Sequence, residues 1–448
     1  MARAVYTLLW WLALPFLPLR LWWRGRKEPG YRSRIGERFG RYHPDVPSPA
    51  RDVFWIHAVS LGETRAAAPL IERVLRERPD ATLLLTHMTA TGRDSGRALY
   101  GDRVVQAWLP YDLPFAVRAF LAHFHPFAGA LMETELWPNL AAHCHAHGIP
   151  LFLVNARLSA RSAAGYAKFA ALSRPLFRSL AGAATQSVAD AERLTALGTT
   201  SVAVVGNLKF DITVSDDALA LGRELRHRIG DLRSVWVAAS TREGEEALLI
   251  DALAGPAART LPAGTLTILV PRHPQRFDAV AAMLRARAIP FVRRSANVPV
   301  PADTAVLLGD SLGEMFGYYA AADVAFVGGS LVPLGGQNLI EPIALGVPTL
   351  IGPHTFNFAE ASERAIEAGA ARRVADANAL MMEVGALLAD AGARAAMRES
   401  ALVFCASHRG AADRLWKWLA PKLPPSRVES AASRLGRKAT RSEDRDST

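Results

Sequence analysis

Cysteine is scarce in this sequence, and the few cysteines present cannot build a disulfide framework. The 448 residues include 2 cysteines, Cys144 and Cys405, whereas hydrophobic residues make up 50% of the chain. A chain of this size buries a sizeable core without help from disulfides or structural metal. We therefore expect globular domains in a reducing compartment, and roughly 150 residues per domain predicts two or three of them.

A basic surplus is also missing from most of the chain, although its formal net charge is +10. Residues 1–50 carry a net charge of +6 and residues 421–448 carry +3, which leaves +1 for the 370 residues between them. A nucleic-acid-binding domain would place basic residues as a stripe on its folded body, so we expect no nucleic-acid partner. A basic cluster beside an apolar segment indicates anionic lipid instead.

The amino-terminal segment predicts a membrane anchor. Residues 4–19 contain no charge, and at about 1.5 Å per residue this run spans about 24 Å, short of the ~30 Å hydrocarbon core of a bilayer. The length becomes just sufficient if Arg20 snorkels and the segment is counted to Trp23. Pro15 and Pro18 weaken a straight helix, so a segment that lies in the interface is the alternative to one that spans. A buried core helix is the third interpretation.

Basic residues are unevenly distributed around this run. Arg3 alone precedes it, and beyond Arg20 five basic residues lie between positions 24 and 34: Arg24, Arg26, Lys27, Arg32 and Arg34. By the positive-inside rule, this asymmetry places the body of the protein in the cytoplasm.

From residue 52 onward, short β-branched or aromatic runs alternate with longer helical stretches, which predicts parallel sheets covered by helices on both faces. One series of strands is expected at 53–57, 82–86, 104–109, 129–132, 150–154 and 202–205, and a second at 235–239, 265–270, 305–308, 324–327 and 348–351. The stretch 206–217 between them is typical of a hinge. We expect two doubly wound α/β domains that face each other across a cleft, with ligands at the carboxyl ends of the strands.

These patterns divide the chain into four regions. The expected boundaries are 1–29 for the membrane anchor, 30–210 for the first domain, 211–423 for the second domain and 424–448 for a flexible basic tail.

The turn after the first predicted strand carries a candidate general base, Glu63. Gly62 permits close backbone approach, and Glu63 opens the next helix on a rigid support. A carboxylate in that place suits proton abstraction. An acidic residue that stabilises the helix N-terminus is an equally good interpretation.

Two further carboxylates and a lysine are candidates in the same domain. Glu133 and Glu135 follow the strand predicted at 129–132, and Glu133 is the more inward of the two because it is nearer the strand end. Glu135 is expected to begin the following helix. Lys209, at the hinge, is placed to reach a phosphate or a carboxylate.

The second domain carries an ordered series of candidates. Arg272 directly follows a strand, where a guanidinium grips phosphate. Glycine turns bring backbone N–H groups close to a phosphate at the start of a helix. The glycine turns are at Gly313 and at Gly335-Gly336. The acidic residues beside them are Glu314 and Glu341.

Several longer motifs carry a family resemblance. The motifs are METELWPN at 132–139, NARLSARSAAGYAKF at 155–169, LKFD at 208–211, PRHP at 271–274, SLGE at 311–314, GGQNLIEP at 335–342 and GPHTFNF at 352–358. Their order resembles that of the 3-deoxy-D-manno-octulosonic acid (Kdo) transferases of lipopolysaccharide synthesis. RLWWRGRKEPGYRSRIGERFG at 20–40 is also similar to that family, so the resemblance runs from near residue 5 to about 420.

The resemblance implies an inverting GT-B glycosyltransferase with two Rossmann-like domains. Such an enzyme moves Kdo from CMP-Kdo, held by the second domain, to lipid IVA, held by the first. The reaction would take place at the cytoplasmic face of the bacterial inner membrane, with no cofactor and no metal ion.

The resemblance also implies a role for each matching residue. Glu63 resembles the catalytic base, and Glu133 and Lys209 resemble groups that support the transition state. The residues that resemble the CMP site are Pro271, Arg272, Leu312, Gly313, Glu314, Asn338, Leu339, Ile340 and Glu341. Gln337 stands where the family usually has histidine, which puts a cationic contact to phosphate at that position in doubt.

Other patterns are decoys or have a structural explanation. Gly309–Leu312 spells a GDSL hydrolase signature, but no histidine has an aspartate three residues before it. The histidines between 123 and 147 lack zinc-ligand spacing, and the Asp-x-Asp at 444–446 sits in the tail. Glu37 lies in basic surroundings, which indicates membrane docking or a structural ion pair. A GT-B enzyme for UDP-sugars and an inactive membrane scaffold remain alternatives.

Overall fold

The computed structural model describes residues 1–44, 46, 52–212 and 214–424, so residues 425–448 of the expected tail lie outside the described residues. The chain divides into two compact units. The first unit consists of Met1–Asp211 together with the chain from Gly410, and the second unit is Ile212–Arg409.

The first unit is built on a parallel seven-stranded sheet with the order β3-β2-β1-β4-β5-β6-β7. The strands are β1 Val53–His57, β2 Thr82–His87, β3 Val105–Trp108, β4 Pro126–Met132, β5 Leu151–Ala156, β6 Gly182–Thr185 and β7 Val202–Val204. The strand order reverses between β1 and β4, which is where open α/β sheets bind ligands.

Helices cover both faces of this sheet. They are α1 Ala2–Ala13, α2 Leu17–Lys27, α3 Leu61–Ala66, α4 Ala68–Glu77, α5 Ala90–Tyr100, α6 Pro114–Phe124, α7 Pro138–Ala146, α8 Ala160–Lys168, α9 Ala170–Arg178 and α10 Val188–Leu197. All five residues of β1 are buried, because a parallel strand has a helical layer on each side.

The second unit repeats this design with the strand order β10-β11-β9-β8-β12-β13-β14. Its strands are β8 Val235–Thr241, β9 Leu266–Pro271, β10 Phe291–Arg293, β11 Val306–Leu308, β12 Val324–Val327, β13 Thr349–Ile351 and β14 Ala371–Arg373. Its helices are α11 Asp216–Ile229, α12 Glu245–Ala254, α13 Phe277–Ala286, α14 Met315–Ala321, α15 Ile340–Ala344, α16 Ala359–Glu367, α17 Ala377–Ala389 and α18 Ala391–His408. Two doubly wound parallel sheets are thus present, as predicted from the sequence.

Three strands were not predicted. β6 reads Gly-Ala-Ala-Thr, which lacks the β-branched and aromatic residues that signal a strand. A Cβ on Gly182 would meet the Trp418 ring at 2.8 Å, so packing selects the small residue there. β10 and β14 are edge strands of three residues each, too short to show a period.

The last helix, α19 Ala411–Leu419, belongs to the first unit, which corrects the boundary expected at 423. The Asp211 carboxylate accepts hydrogen bonds from the backbone N–H groups of Gly410 at 2.6 Å and Ala412 at 2.5 Å. Leu415 and Leu419 are fully buried in the core of the first unit. The helix returns because its apolar face completes that core.

The amino-terminal segment forms α1 and α2, joined by a 3-10 turn at Leu14–Phe16 that contains Pro15. By length and composition, the helical stretch Ala2–Arg26 is long and apolar enough to cross a membrane. Part of it packs on the first unit, because the Trp10 ring contacts the Tyr111 ring at 5.7 Å and Leu17 is buried.

Glu37 forms a buried ion pair, one of the two interpretations of its basic surroundings. Its carboxylate accepts hydrogen bonds from both terminal nitrogens of Arg93, at 3.0 and 3.3 Å. It also accepts from the Trp108 backbone N–H at 2.8 Å. Glu37 is 1% exposed, so it joins the amino-terminal segment to the sheet and does not face solvent.

Candidate active site

Glu63 lies at the start of α3, directly after the carboxyl end of β1. The Ser60 hydroxyl accepts a hydrogen bond from the Glu63 backbone N–H at 3.4 Å and donates to the Glu63 carboxylate at 3.1 Å. The same carboxylate accepts from the Val59 N–H at 2.9 Å. This is a capping box, so Glu63 does stabilise the helix N-terminus.

The electrostatics of Glu63 also suit a general base. Burial, and then repulsion from Glu133, raises the pKa of Glu63 to about 7. A base is most effective when its pKa is near the working pH. The two interpretations of Glu63 are therefore compatible, because the cap holds the carboxylate in a fixed place.

Glu133 and Lys209 form an ion pair in the same unit. Glu133 follows β4 with a φ of 57°, in the left-handed region that a side chain rarely adopts. The Lys209 Nζ lies 3.4 Å from its Oε1. Because β1 and β4 are neighbours at the point where the strand order reverses, Glu63 and Glu133 share one edge of the sheet.

Glu135 belongs to the same acidic group. Burial, followed by repulsion from Glu133, raises the pKa of its carboxyl. It lies before α7, which begins at Pro138, and so it does not start that helix as expected.

Asn155, which the sequence patterns did not single out, positions the lysine. This fully buried residue at the end of β5 has a φ of 51°, and its Oδ1 accepts the Leu208 N–H at 3.0 Å. The Asn207 Oδ1 accepts the Lys209 N–H at 3.0 Å. The sequence offers one signal for this role: Asn155 lies near the end of an apolar strand and is the first residue of the motif at 155–169.

A buried histidine pair supports the turn before Glu63. The His87 Nδ1 contacts the Ala58 carbonyl at 2.9 Å, and the His57 Nδ1 contacts the Thr86 hydroxyl at 2.9 Å. Burial lowers the pKa of His57 to about 3 and that of His87 to about 4. Both rings are therefore neutral at pH 7 and act as fixed hydrogen-bonding groups.

The second unit holds the residues that resemble a nucleotide site. Pro271 is the last residue of β9, and the Arg272 N–H donates to the Thr241 carbonyl at 2.9 Å, which joins the ends of β9 and β8. Leu312 is 70% exposed, and Gly313 has a φ of 83°.

The carboxylate of Glu314 already has a partner. Its Oε1 accepts a hydrogen bond from Arg294 at 3.0 Å, and its Oε2 accepts one from the Ser311 hydroxyl at 2.6 Å. Ser311, the serine of the GDSL pattern, is thus tied to a neighbouring carboxylate.

The segment before α15 presents its backbone and not its apolar side chains. Leu339 and Ile340 are buried in the core, while the Asn338 Oδ1 accepts the Ile340 N–H at 3.1 Å and its Nδ2 donates to Glu341 at 3.3 Å. The glycine turn beside it pairs with the loop after β12, since the Gly336 N–H donates to the Gly329 carbonyl at 2.8 Å.

The structure thus brings Glu63, Glu133 and Lys209 together in the first unit. It places the residues that resemble the CMP site at the carboxyl edge of the second sheet. Within the described residues, no group of three or more His, Cys, Asp or Glu side chains is arranged to hold a metal ion.

Solved structures with low sequence identity share this fold. A UDP-GlcNAc 2-epimerase from Neisseria meningitidis is 14% identical, with a TM-score of 0.56 over 83% of this chain and 100% of that chain. A glycosyltransferase from Rickettsia africae is 11% identical, with a TM-score of 0.55 over 84% of this chain and 98% of that chain. The fold is GT-B, with two Rossmann-like units.

Sequence relatives are far more specific. The family model for 3-deoxy-D-manno-octulosonic-acid transferase (kdotransferase) matches residues 33–212. A 3-deoxy-D-manno-octulosonic acid transferase from Bordetella pertussis is 45% identical over 94% of this chain and 100% of its own length. One from Haemophilus influenzae is 37% identical over 94% of this chain and 99% of its own length. The chain therefore belongs to the 3-deoxy-D-manno-octulosonic acid transferase family.

Proposed function

We propose that this Kdo transferase uses CMP-Kdo as donor and lipid IVA as acceptor, with inversion at the anomeric carbon and without a metal ion. The observation that carries the proposal is Glu63, a carboxylate with a pKa of about 7, fixed by a capping box beside the Glu133–Lys209 pair.

In this mechanism Glu63 removes the proton from the glucosamine 6′-hydroxyl as that oxygen attacks the anomeric carbon of Kdo. The carbon–oxygen bond to CMP breaks as the new glycosidic bond forms. Attack from the side opposite the leaving group inverts the configuration. Burial supports this role, because it keeps the carboxylate basic enough to accept the proton near neutral pH.

Glu133 and Lys209 would act on opposite charges of the reacting sugar. Glu133 stabilises the positive oxocarbenium character at the anomeric carbon, and Lys209 holds the anionic centre of the donor. The 3.4 Å ion pair keeps both side chains in place before the substrate binds.

The departing CMP is assigned to the second unit. Arg272 supplies a guanidinium for the phosphate, and the turns at Gly313 and Gly335 supply backbone N–H groups. Pro271, Leu312 and the segment from Asn338 to Glu341 would surround the rest of the nucleotide. These groups neutralise the leaving charge without an added cation.

We place the enzyme on the cytoplasmic face of the bacterial inner membrane, held by α1 and α2. One face of this segment, which includes Trp10 and Leu21, packs on the rest of the first unit, and the other face is exposed. The exposed large apolar residues are Val5, Leu8, Leu9, Trp11, Leu12, Phe16, Leu19, Trp22 and Trp23. A helix that packs on the protein body and exposes an apolar face fits an arrangement in the plane of the interface.

The membrane arrangement is tested with a single cysteine at Ala2 in a background without Cys144 and Cys405. An impermeant thiol reagent added outside intact spheroplasts should not label an in-plane segment. Labelling from the periplasmic side would show instead that the segment spans.

The reaction is tested by measuring Kdo incorporation into lipid IVA with CMP-Kdo and the purified protein. The product also shows how many Kdo residues are added. Thermal stabilisation by CMP and not by UDP is expected, and the reverse would favour a UDP-sugar enzyme. No incorporation by a folded protein that binds CMP would indicate a scaffold.

A further inference from the structure

Arg242 lies at the carboxyl edge of the second sheet, in the turn between β8 and α12. The strand order reverses between β8 and β12, so this turn sits at the position where such sheets bind ligands. The hydrogen bond from the Arg272 N–H to the Thr241 carbonyl brings the turn beside the end of β9. Arg242 thus occupies in the second sheet the place that Glu63 occupies in the first.

The carboxylates nearest to Arg242 in the sequence bind groups other than its guanidinium. Arg276 pairs with Glu243 at 3.3 Å and with Glu246 at 3.1 Å. Glu245 is fully buried, and its carboxylate accepts backbone N–H groups. The donors are those of Arg242, Gly329, Ser330 and Leu331, at 3.2, 2.6, 3.1 and 3.0 Å respectively.

Within the part of the chain that the structure describes, no carboxylate forms an ion pair with Arg242. Its side chain is half-buried, so its charge is only partly hydrated. A partly buried cation without a counter-charge is costly unless a ligand supplies one.

The stem of Arg242 lies beside a glycine turn and a side-chain amide. A Cβ built on Gly329, which has a φ of 68°, would lie 3.3 Å from the Arg242 Cγ and 3.2 Å from the Gln337 Nε2. Burial and then the charges of Arg242 and Arg272 lower the pKa of His273. The arginine stem, the glycine turn and an amide donor therefore meet at this edge of the sheet, with Arg272 and His273 nearby.

We propose that Arg242 binds the phosphate of the donor nucleotide together with Arg272. The inference rests on the proposed function, because it takes the nucleotide to be CMP. The absence of a side chain at Gly329 leaves room beside the Arg242 stem and the Gln337 amide, and Arg242 supplies a permanent positive charge beside the neutral Gln337. Glu245 fixes the turn on which this geometry depends.

Titration calorimetry with CMP and with cytidine tests the assignment. We expect Arg242→Gln to weaken CMP binding about tenfold or more and to leave the weak binding of cytidine unchanged. Arg242→Lys should restore part of the CMP affinity, and CMP binding by Arg242→Gln should depend less on salt than wild-type binding. Arg259→Gln, which removes an exposed arginine of the same unit, is the matched control and should bind CMP normally.

Unchanged CMP affinity in Arg242→Gln would overturn the assignment, and a raised KM for CMP-Kdo in that case would place the arginine on the sugar carboxylate. An equal loss of cytidine and CMP affinity would also overturn it, because it would indicate a deformed site. If the wild-type protein bound no CMP, the proposed donor would fail. The anion site is then tested separately by comparing how much inorganic phosphate raises the melting temperature of the wild type and of Arg242→Gln.

Discussion

The two sheets share one architecture, yet the loops at their switch points carry different chemistry. The turn after β1 presents Glu63, and the turn after the first strand of the second sheet presents Arg242. Burial and then repulsion from Glu133 raise the pKa of Glu63, while burial and then the charges of Arg242 and Arg272 lower the pKa of His273. The reversal of strand order that both sheets contain therefore sets the edge of each sheet at which a ligand is expected. The residues in the turns at that edge decide its chemistry.

The largest effect is expected from Glu63→Gln, which removes the proton acceptor and keeps the side-chain shape. Kdo transfer to lipid IVA should fall about 10²–10⁴-fold, while CMP affinity measured by calorimetry stays unchanged. The control is Glu72→Gln, which alters an exposed carboxylate paired with Arg103 in the same unit. Near-normal turnover by Glu63→Gln would remove Glu63 from the mechanism.

Lys209→Met should lower kcat about 100-fold, because it removes the charge that we propose holds the anionic donor and breaks the ion pair with Glu133. Lys168→Met, at an exposed lysine of the same unit, should transfer Kdo normally. The rates are compared at saturating CMP-Kdo. A change confined to KM would assign Lys209 to ground-state binding.

Replacing Arg24, Arg26 and Lys27 together by alanine should weaken membrane association about tenfold or more, since each basic residue near an anionic surface contributes about 1 kcal/mol. Flotation with anionic and with zwitterionic vesicles measures the effect. Both units should remain intact, so CMP affinity is expected to stay at the wild-type value. Equal binding to both kinds of vesicle by the wild-type protein would contradict an electrostatic contribution.

The smallest effect is a shift in the pH profile. Glu63 must be deprotonated to act as a base, so kcat/KM should fall as the pH drops below its pKa of about 7. Glu133→Gln removes a negative neighbour, which lowers the pKa of Glu63 and moves the acidic limb by about one pH unit to lower pH. The limb should stay in place in Glu72→Gln. If the acidic limb of the kcat/KM profile stayed at the same pH in Glu133→Gln, a group other than Glu63 would be responsible for that limb.

The sequence predicted what depends on local pattern. β1 and β12 have the predicted bounds, because continuous apolar runs between turn residues are distinctive. Glu63, Glu133 and Lys209 were found through their places after strands and in motifs, and the structure shows that they share one unit.

What the sequence did not reveal depends on tertiary packing. The strand at Gly182–Thr185 pairs with β5 and β7, and Trp418, far along the chain, packs against its glycine. Arg242 has an ordinary neighbourhood in the sequence, and only the structure shows that the three glutamates after it bind groups other than its guanidinium. Asn155 likewise acts through a left-handed backbone that no local pattern indicates.

The return of α19 to the first unit has a consequence for the order in which the protein is made. Asp211 and Gly410, which meet at 2.6 Å, are separated by 199 positions in the chain. When the ribosome has synthesised all the strands of the first sheet, it has not yet synthesised the helix that covers the core of that unit. The first unit therefore remains incomplete until the whole second unit, which lies between its two parts in the chain, has been synthesised. Truncation before residue 411 would leave the apolar site of Leu415 and Leu419 open, so the sheet that carries Glu63 and Glu133 depends on a helix that is translated after the second unit.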